Sequence, residues 1–343
     1  MDIAHLRIQV VAPARIHMGF LDPSGEQGRR FGSLGVALNE ISTCLSIERA
    51  DELKVTGPQS KRAQKIAKSF CKTLQLPESH SITLNSAIPE HVGLGSGTQM
   101  ALAVGLGLSA FYGLDYKIRD IAKLTGRGAR SGIGVGMFEH GGFIVDGGSA
   151  KNDAPPPVIV SKQVPENWRF ILVFDQREQG LNGAAEIDAF EALPPFPVAE
   201  TARLCHLLLM QALPALIEQD IRNFGDVITE IQKAGGEYFS RIQGGCFTSP
   251  NVERAIHWLE DHGAVGLGQS SWGPTGFCMV DGVSVAETLF HEVITAFSGN
   301  PELSFKLVSA RNKGGEVVVS RTDIDYTILS EENSRYSSEI LRT

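Results

Sequence analysis

Cysteine is sparse: five residues in 343, none in a CxxC pair. An odd, scattered set builds neither a disulfide frame nor a thiolate zinc site, and it fits reduced core thiols in the cytosol. Positive charge is also short, since 31 Lys and Arg against 39 Asp and Glu leave a formal net charge of -8. Nucleic-acid affinity rests on neutralising backbone phosphates, so a general nucleic-acid partner is excluded, whereas a small anion held by a few local cations is not. Long apolar runs are missing too. The longest, Ala101 to Leu114, contains three glycines, a serine and a tyrosine and falls short of a bilayer span. The opening "MDIAHLRIQVV" has no apolar segment with a cleavage site. No signal peptide and no membrane partner are therefore expected, and the compartment is read as cytoplasmic.

What is present is the composition of an ordinary α/β enzyme, 42% hydrophobic and 20% charged, with 37 glycines as a mild excess. The length exceeds what one core usually supports, so two domains are expected. "LRIQVVAPARIHMGFL" and "SLGVALNEISTCLSIER" alternate apolar and polar residues and read as strands around a turn at "DPSGEQGRR". Apolar residues at helical spacing mark a helix over 61–74, a long one over 96–112 and a shorter one over 118–125. "SGIGVGMFEHGGFIVDGG" reads as a glycine-laced strand pair. "VIVSKQV" and "WRFILVFD" follow as strands, then helices over about 198–235. The remainder alternates helix and strand in the manner of a split βαβ layer. The expected organisation is an N-terminal α/β domain over 1–180, a C-terminal α+β domain over 181–325 and a tail over 326–343.

The segment "IPEHVGLGSGTQMALAVG" places Gly93, Gly95 and Gly97 just ahead of the long helix. A helix N-terminus offers unpaired N–H groups and a partial positive charge, and glycines let that backbone approach an anion closely. Phosphate is the expected ligand, bound by Gly93, Leu94, Gly95, Ser96, Gly97 and Thr98, with Ser96 also placed to meet a magnesium ion. Other readings compete. The nucleotide P-loop needs GxxxxGK[ST], and no lysine lies between Gly93 and Gly113. A dinucleotide fingerprint needs its glycines directly after a strand, and Pro89 stands in between. Glycines that merely permit close helix packing are the third reading.

"PEHVGLGSGTQMA" resembles the phosphate-binding loop of the GHMP superfamily of small-molecule kinases. "VAPARIHMGFLD" resembles that superfamily's first motif, and "GAVGLGQSSWGPTGFC" its third, in order across residues 11 to 278. The resemblance implies a two-domain α+β fold with the phosphate loop at the domain junction. Within the superfamily, "PARIHMGFLD", "GRGARSGIGVGMFEHGGFIVDGG" and "GQSSWGPTGF" are similar to the β-ribofuranosylaminobenzene 5'-phosphate synthases, a non-kinase branch. That likeness implies coupling of phosphoribosyl pyrophosphate to 4-aminobenzoate, or in some members 4-hydroxybenzoate, with loss of carbon dioxide and pyrophosphate, in methanopterin biosynthesis. It implies Mg²⁺ as cofactor, small-molecule partners alone and, as an assembly to test, a homodimer. An ATP-dependent GHMP-type kinase and a non-catalytic phosphometabolite-binding member are the alternatives.

Two departures from the kinases bear on this. Many place an aspartate base after the phosphate loop, yet here the only acid of that stretch is Glu139; and Gly97 stands where a second serine is usual. Arg15 and His17 of the first motif are expected at the reacting centre, with Glu139 and His140 as candidates for metal contact or proton handling. Arg127 or Arg130, with Ser131, is expected to hold the 5'-phosphate or the benzoate carboxylate, because a guanidinium pairs such groups in bidentate fashion. Gly268, Gln269, Ser270, Ser271 and Gly273 are expected to close the site from the second domain. Each also has a structural reading: a hydrogen-bonded core histidine, a solvated arginine, a Glu139 paired with a neighbouring Arg. Trp272 reads as core or lid, and Arg177 and Glu186 flank a glycine turn that looks site-like.

Overall fold

Two long neighbouring strands set the frame. In the computed structural model, which describes residues 6–150, 154–177, 193–321 and 324–328, β1 (Leu6–Asp22) pairs antiparallel with β2 (Phe31–Arg49) across the expected turn. Alternate β1 residues from Ile8 to Met18 are buried, the period-two pattern of a strand with one face on a core. The sheet continues through β3 (Lys54–Thr56), β4 (His80–Ser86), β5 (Phe143–Asp146), β6 (Val158–Lys162), β11 (Glu316–Arg321) and β12 (Ile324–Ile328). Its order is β12-β11-β1-β2-β4-β3, with β5 on β2 and β6 on β5. A second, four-stranded antiparallel sheet has the order β10-β7-β9-β8, from β7 (Trp168–Asp175), β8 (Val265–Gln269), β9 (Gly276–Asp281) and β10 (Leu303–Ser309).

The helices make three layers around these sheets. α1 (Ser60–Leu74), α2 (Ser96–Phe111) and α3 (Ile118–Leu124) bury Phe70, Leu102, Leu106 and Ile121 against Val10, Ile47 and Ile82 of the first sheet. Between the sheets runs the helix Ile221–Gln243. Its Phe224, Val227 and Ile231 meet Ile16, Met18 and Leu34 on one side and Phe170, Leu172 and Phe277 on the other. Beyond the second sheet, the helices Pro250–Asp261 and Val283–Ala296 cover Ile171 and Val173. Successive β7 residues thus feed different cores, as a strand buried on both faces must. Because one core spans both sheets, loops at their junction are held from two sides.

One expectation is corrected here: the first half of the glycine-laced strand pair forms a helix. Strand β7 joins the second sheet, while 316–321 and 324–328 return to the first, so strands from both ends of the chain share that sheet. The expected tail begins inside β12, and 329–343 lie outside the described residues, as does Glu186. The first half of the supposed strand pair is a helix, α4 (Ile133–His140), followed by β5. The buried Asp146 carboxylate sets its start by accepting the Gly132 N–H at 2.8 Å. Gly134 and Gly136 let that helix lie close to its neighbours: a Cβ on Gly134 would stand 3.0 Å from Thr98 Cγ2, and one on Gly136 2.8 Å from Val158 Cγ2. Among the described residues no helix is long and apolar enough to cross a membrane.

Candidate functional site

The glycine loop ends where α2 begins, and its conformation requires glycine. Gly93 and Gly95 have φ of 84° and 83°, in the left-handed region, with buried Leu94 anchoring the loop between them. Gly95 is the N-cap of α2 and supplies no side chain. The first amide bonded within the protein is that of Gln99, to Gly95 O at 3.1 Å; among the described residues none from Gly93 to Thr98 has an acceptor. These are the orphan donors that a bound anion satisfies.

Two guanidinium groups converge on the same spot. A Cβ on Gly97 would stand 2.9 Å from Arg62 Nη2 and 3.3 Å from Arg127 Nη1. Arg62 also donates to Ser96 Oγ at 3.3 Å and to Glu90 Oε1 at 2.7 Å. Burial first, and Arg62 second, hold the Arg127 pKa below the usual guanidinium range. Like charges this close favour a multiply charged oxyanion between them. The sequence reading names Arg127 and misses Arg62. Its signal is a cation in the first turn of α1, where the helix dipole disfavours one and no acid is present.

The first and third motifs meet the loop at one carbonyl. Gly93 O accepts from the Arg15 guanidinium and from Ser270 Oγ, the latter at 2.7 Å. Thr275 Oγ1 donates to Val92 O at 2.6 Å, and the Arg15 N–H to Leu94 O at 3.2 Å. Gly273 packs against the Gly93 backbone, where any side chain would collide. Gly268 lies against Gln232, with equally little room. Gln269 accepts the Thr248 N–H at 2.6 Å and donates to Ser271 O at 3.2 Å, bracing Ser271 at φ 59°.

His17 sits beside this junction, 2% exposed, with its N–H on Ser270 Oγ at 3.0 Å. Its Nδ1 accepts from the Gly19 N–H at 3.3 Å, which leaves the proton of a neutral ring on Nε2. Nε2 has no partner. The ring faces a cleft lined by Phe20, Phe239, Trp272, Gln232, Gln269 and Ser271, with ring centroids 4.5 Å apart for both His17–Phe20 and Phe239–Trp272. Phe239 and Gln232 escaped the sequence reading because they come from the central helix, outside the motifs, whereas Phe20 stands within the first motif as an apolar strand residue with no polar group to mark it.

Three predicted residues go elsewhere. Both Glu139 oxygens accept from Arg119, at 2.8 Å each, and Arg119 Nη1 bonds the Pro155 and Pro156 carbonyls at 3.3 and 3.2 Å. Glu139 and His140 close α4 at the end away from the Thr98 contact, roughly 7.5 Å along the axis from Gly134. A carboxylate engaged bidentately there clamps α4 to the 155–156 segment. Ser131 turns to Asp146 Oδ2 at 3.4 Å and accepts the Ile133 N–H, so it serves the start of α4. Arg130 is half-buried in the same turn. For magnesium, the protein oxygens at the loop are the Ser96 and Thr98 hydroxyls, while Glu90 is held by Arg62. Such a set fits an ion coordinated chiefly by phosphate oxygens.

The histidines make stability depend on pH in a defined direction. Burial, then Arg15, lowers the His17 pKa to about 3, and burial lowers that of His80 to about 4. Both values lie below the unfolded value near 6.5, so between them the unfolded chain binds more protons. Stability is therefore expected to fall as pH drops from about 6.5 towards 4, by up to about 1.4 kcal/mol per pH unit for each histidine. Urea titrations across pH 4 to 7 check this, with His17→Asn expected to flatten the slope.

Comparison with known proteins places the geometry in context. A family model described as the GHMP kinases N terminal domain matches residues 61–142, and the GHMP kinases C terminal model matches 212–298. The beta-ribofuranosylphenol 5'-phosphate synthase of Methanothermobacter thermautotrophicus is 33% identical over 298 residues, 80% of this chain and 89% of that protein. The protein of the same name from Archaeoglobus fulgidus is 32% identical over 336 residues, covering 91% and 100%. Among solved structures, the homoserine kinase of Cytophaga hutchinsonii superposes with a TM-score of 0.62 at 17% identity, covering 91% of this chain and 97% of that one. Mevalonate diphosphate decarboxylase from Staphylococcus aureus gives 0.62 at 15%, covering 91% and 98%, a likeness of fold.

Proposed function

The chain belongs to the beta-ribofuranosylphenol 5'-phosphate synthase family of enzymes, within the GHMP kinase fold, and from that premise we propose that it joins phosphoribosyl pyrophosphate to a para-substituted benzoate. The acceptor is 4-hydroxybenzoate or 4-aminobenzoate, and carbon dioxide and pyrophosphate are released, as an early step of tetrahydromethanopterin biosynthesis. The observation that carries this reading is the seat at Gly97, where two guanidiniums and a row of open amides converge while the nearby Glu90 carboxylate is held by Arg62. That suits a departing pyrophosphate better than a hydroxyl awaiting deprotonation.

In this reaction Arg62, Arg127 and the loop amides hold the pyrophosphate and stabilise the charge that grows on it as its bond to the anomeric carbon breaks. Magnesium would enter on the phosphates with Ser96 Oγ as a protein ligand, adding charge neutralisation. The ring carbon bearing the carboxylate forms the new bond to the ribose carbon. The bond to the carboxylate then breaks, carbon dioxide leaves, and the electron pair restores aromaticity. No net proton transfer is needed, consistent with a neutral His17 and a sequestered Glu139. Positioning by the first and third motifs at Gly93 supplies the alignment.

Release of labelled carbon dioxide from carboxyl-labelled 4-hydroxybenzoate or 4-aminobenzoate, dependent on phosphoribosyl pyrophosphate, is the expected result. Substantial ADP formation from ATP with small alcohols, and no carbon dioxide from either acid, would establish the kinase alternative instead.

A further inference from the structure

Resting on that reading, we infer that the cleft at His17 seats the aromatic ring of the acceptor and that the His17 Nε2–H selects a para-hydroxyl over a para-amino group. Two independent observations carry the assignment. The lining pairs aromatic side chains, Phe20, Phe239 and Trp272, with a buried ring nitrogen that has no hydrogen-bond partner among the described residues. A flat ring stacks on such faces, and a buried donor without an acceptor costs free energy until a ligand supplies one.

The second observation concerns charge and room. Among the described residues, none that lines the cleft is Asp, Glu, Lys or Arg. A carboxylate pushed inside would lose its water with no cation to replace it, so the ring enters with its para substituent inward and its carboxylate outward. Ser270 bonds both the His17 backbone N–H and Gly93 O, so the cleft adjoins the phosphate loop. On the central helix, a Cβ at Gly235 would meet nothing within 4 Å, so the cleft has space beside that residue.

The choice of substituent follows from hydrogen-bonding capacity. The Gly19 N–H occupies Nδ1, so Nε2 is the donor. A phenol oxygen keeps a lone pair to accept that proton, whereas the lone pair of an aryl amine is spread into the ring and its hydrogens would confront the donor. Burial and Arg15 keep the ring neutral down to about pH 3, so it stays a donor without charge at working pH.

The test measures carbon dioxide release, phosphoribosyl pyrophosphate affinity and quenching of Trp272 fluorescence by each acid. It compares the parent with His17→Asn, which keeps an acceptor for the Gly19 N–H but cannot reach the ring, and Gly235→Leu, which fills the cleft from a helical position. The parent is expected to prefer 4-hydroxybenzoate by at least about tenfold in kcat/KM. His17→Asn should bring the ratio within about threefold, chiefly by loss with the hydroxy acid, and Gly235→Leu should raise KM for both acids at least about tenfold. Phosphoribosyl pyrophosphate affinity should stay within about twofold in both variants. Equal losses with both acids in His17→Asn overturn the selection, and normal acid binding by Gly235→Leu overturns the seat. If the parent releases no carbon dioxide, the proposed reaction fails. Quenching by 4-hydroxybenzoate that disappears in Gly235→Leu then still upholds the aromatic seat, and no quenching in the parent removes it.

Discussion

Replacing Arg127 with methionine is expected to weaken phosphoribosyl pyrophosphate binding by about 10- to 100-fold while leaving the ligand-free protein at least as stable as the parent. The binding loss is that of one charge-assisted hydrogen bond to a phosphate. The stability result has the opposite sign because Arg127 and Arg62 face each other over Gly97, and each lies in the other's field until an anion arrives. Methionine keeps the apolar stem and removes the repulsion. Calorimetric titration with phosphoribosyl pyrophosphate and thermal unfolding without ligand make the comparison. A large drop in Tm with unchanged affinity would mean that Arg127 is a structural group and that the seat lies elsewhere.

Gly93→Ala is expected to abolish measurable turnover, a loss beyond about 100-fold, and to cost roughly 2–4 kcal/mol of stability. Two causes add. The residue sits at φ 84°, where an alanine is strained by about 1 kcal/mol. Its Cβ would also collide with the Ser270 carbonyl oxygen, a backbone atom with no rotamer to relieve the clash. The collision falls at the point where Arg15, the phosphate loop and the third motif are joined, so it displaces all three together. Gly126→Ala is the control: its φ of 64° is also positive, but nothing lies within 4 Å of the added methyl. It should lose only about 1 kcal/mol and keep activity. Urea unfolding and steady-state rates distinguish the two. Equal effects would show that strain alone, and not the junction at Gly93, governs the loop.

Most secondary structure was legible because it rests on local pattern. The alternation in β1 and the apolar spacing of α1 and α2 need no partner to be read. α4 was not, since Gly134 and Gly136 lower helix propensity and resemble turn punctuation. Their reason lies across space, in Thr98 and Val158, which approach where side chains would stand. The sheet to which a strand belongs is hidden for the same kind of reason. The β7 sequence "WRFILVFD" reads as a buried strand but carries no mark of which sheet receives it.

The site divides similarly. Gly93, Ser270, Gly273, Arg15 and His17 stand in glycine-rich or motif-bearing segments, and the structure brings them together. Arg62 reaches the seat from another helix, and Glu139 is claimed by Arg119, twenty residues away. Neither fact is encoded in nearby residues.

By itself, the order of residues determined that this protein has a glycine-rich loop ahead of an apolar helix and no lysine to make it a nucleotide P-loop. Backbone conformation near glycine depends on the few residues at hand. Only the tertiary structure decided which cations face that loop, which carboxylate is taken out of play, and that a neutral histidine opens onto an aromatic cleft. Charge pairing and burial depend on distances between segments that are remote along the chain.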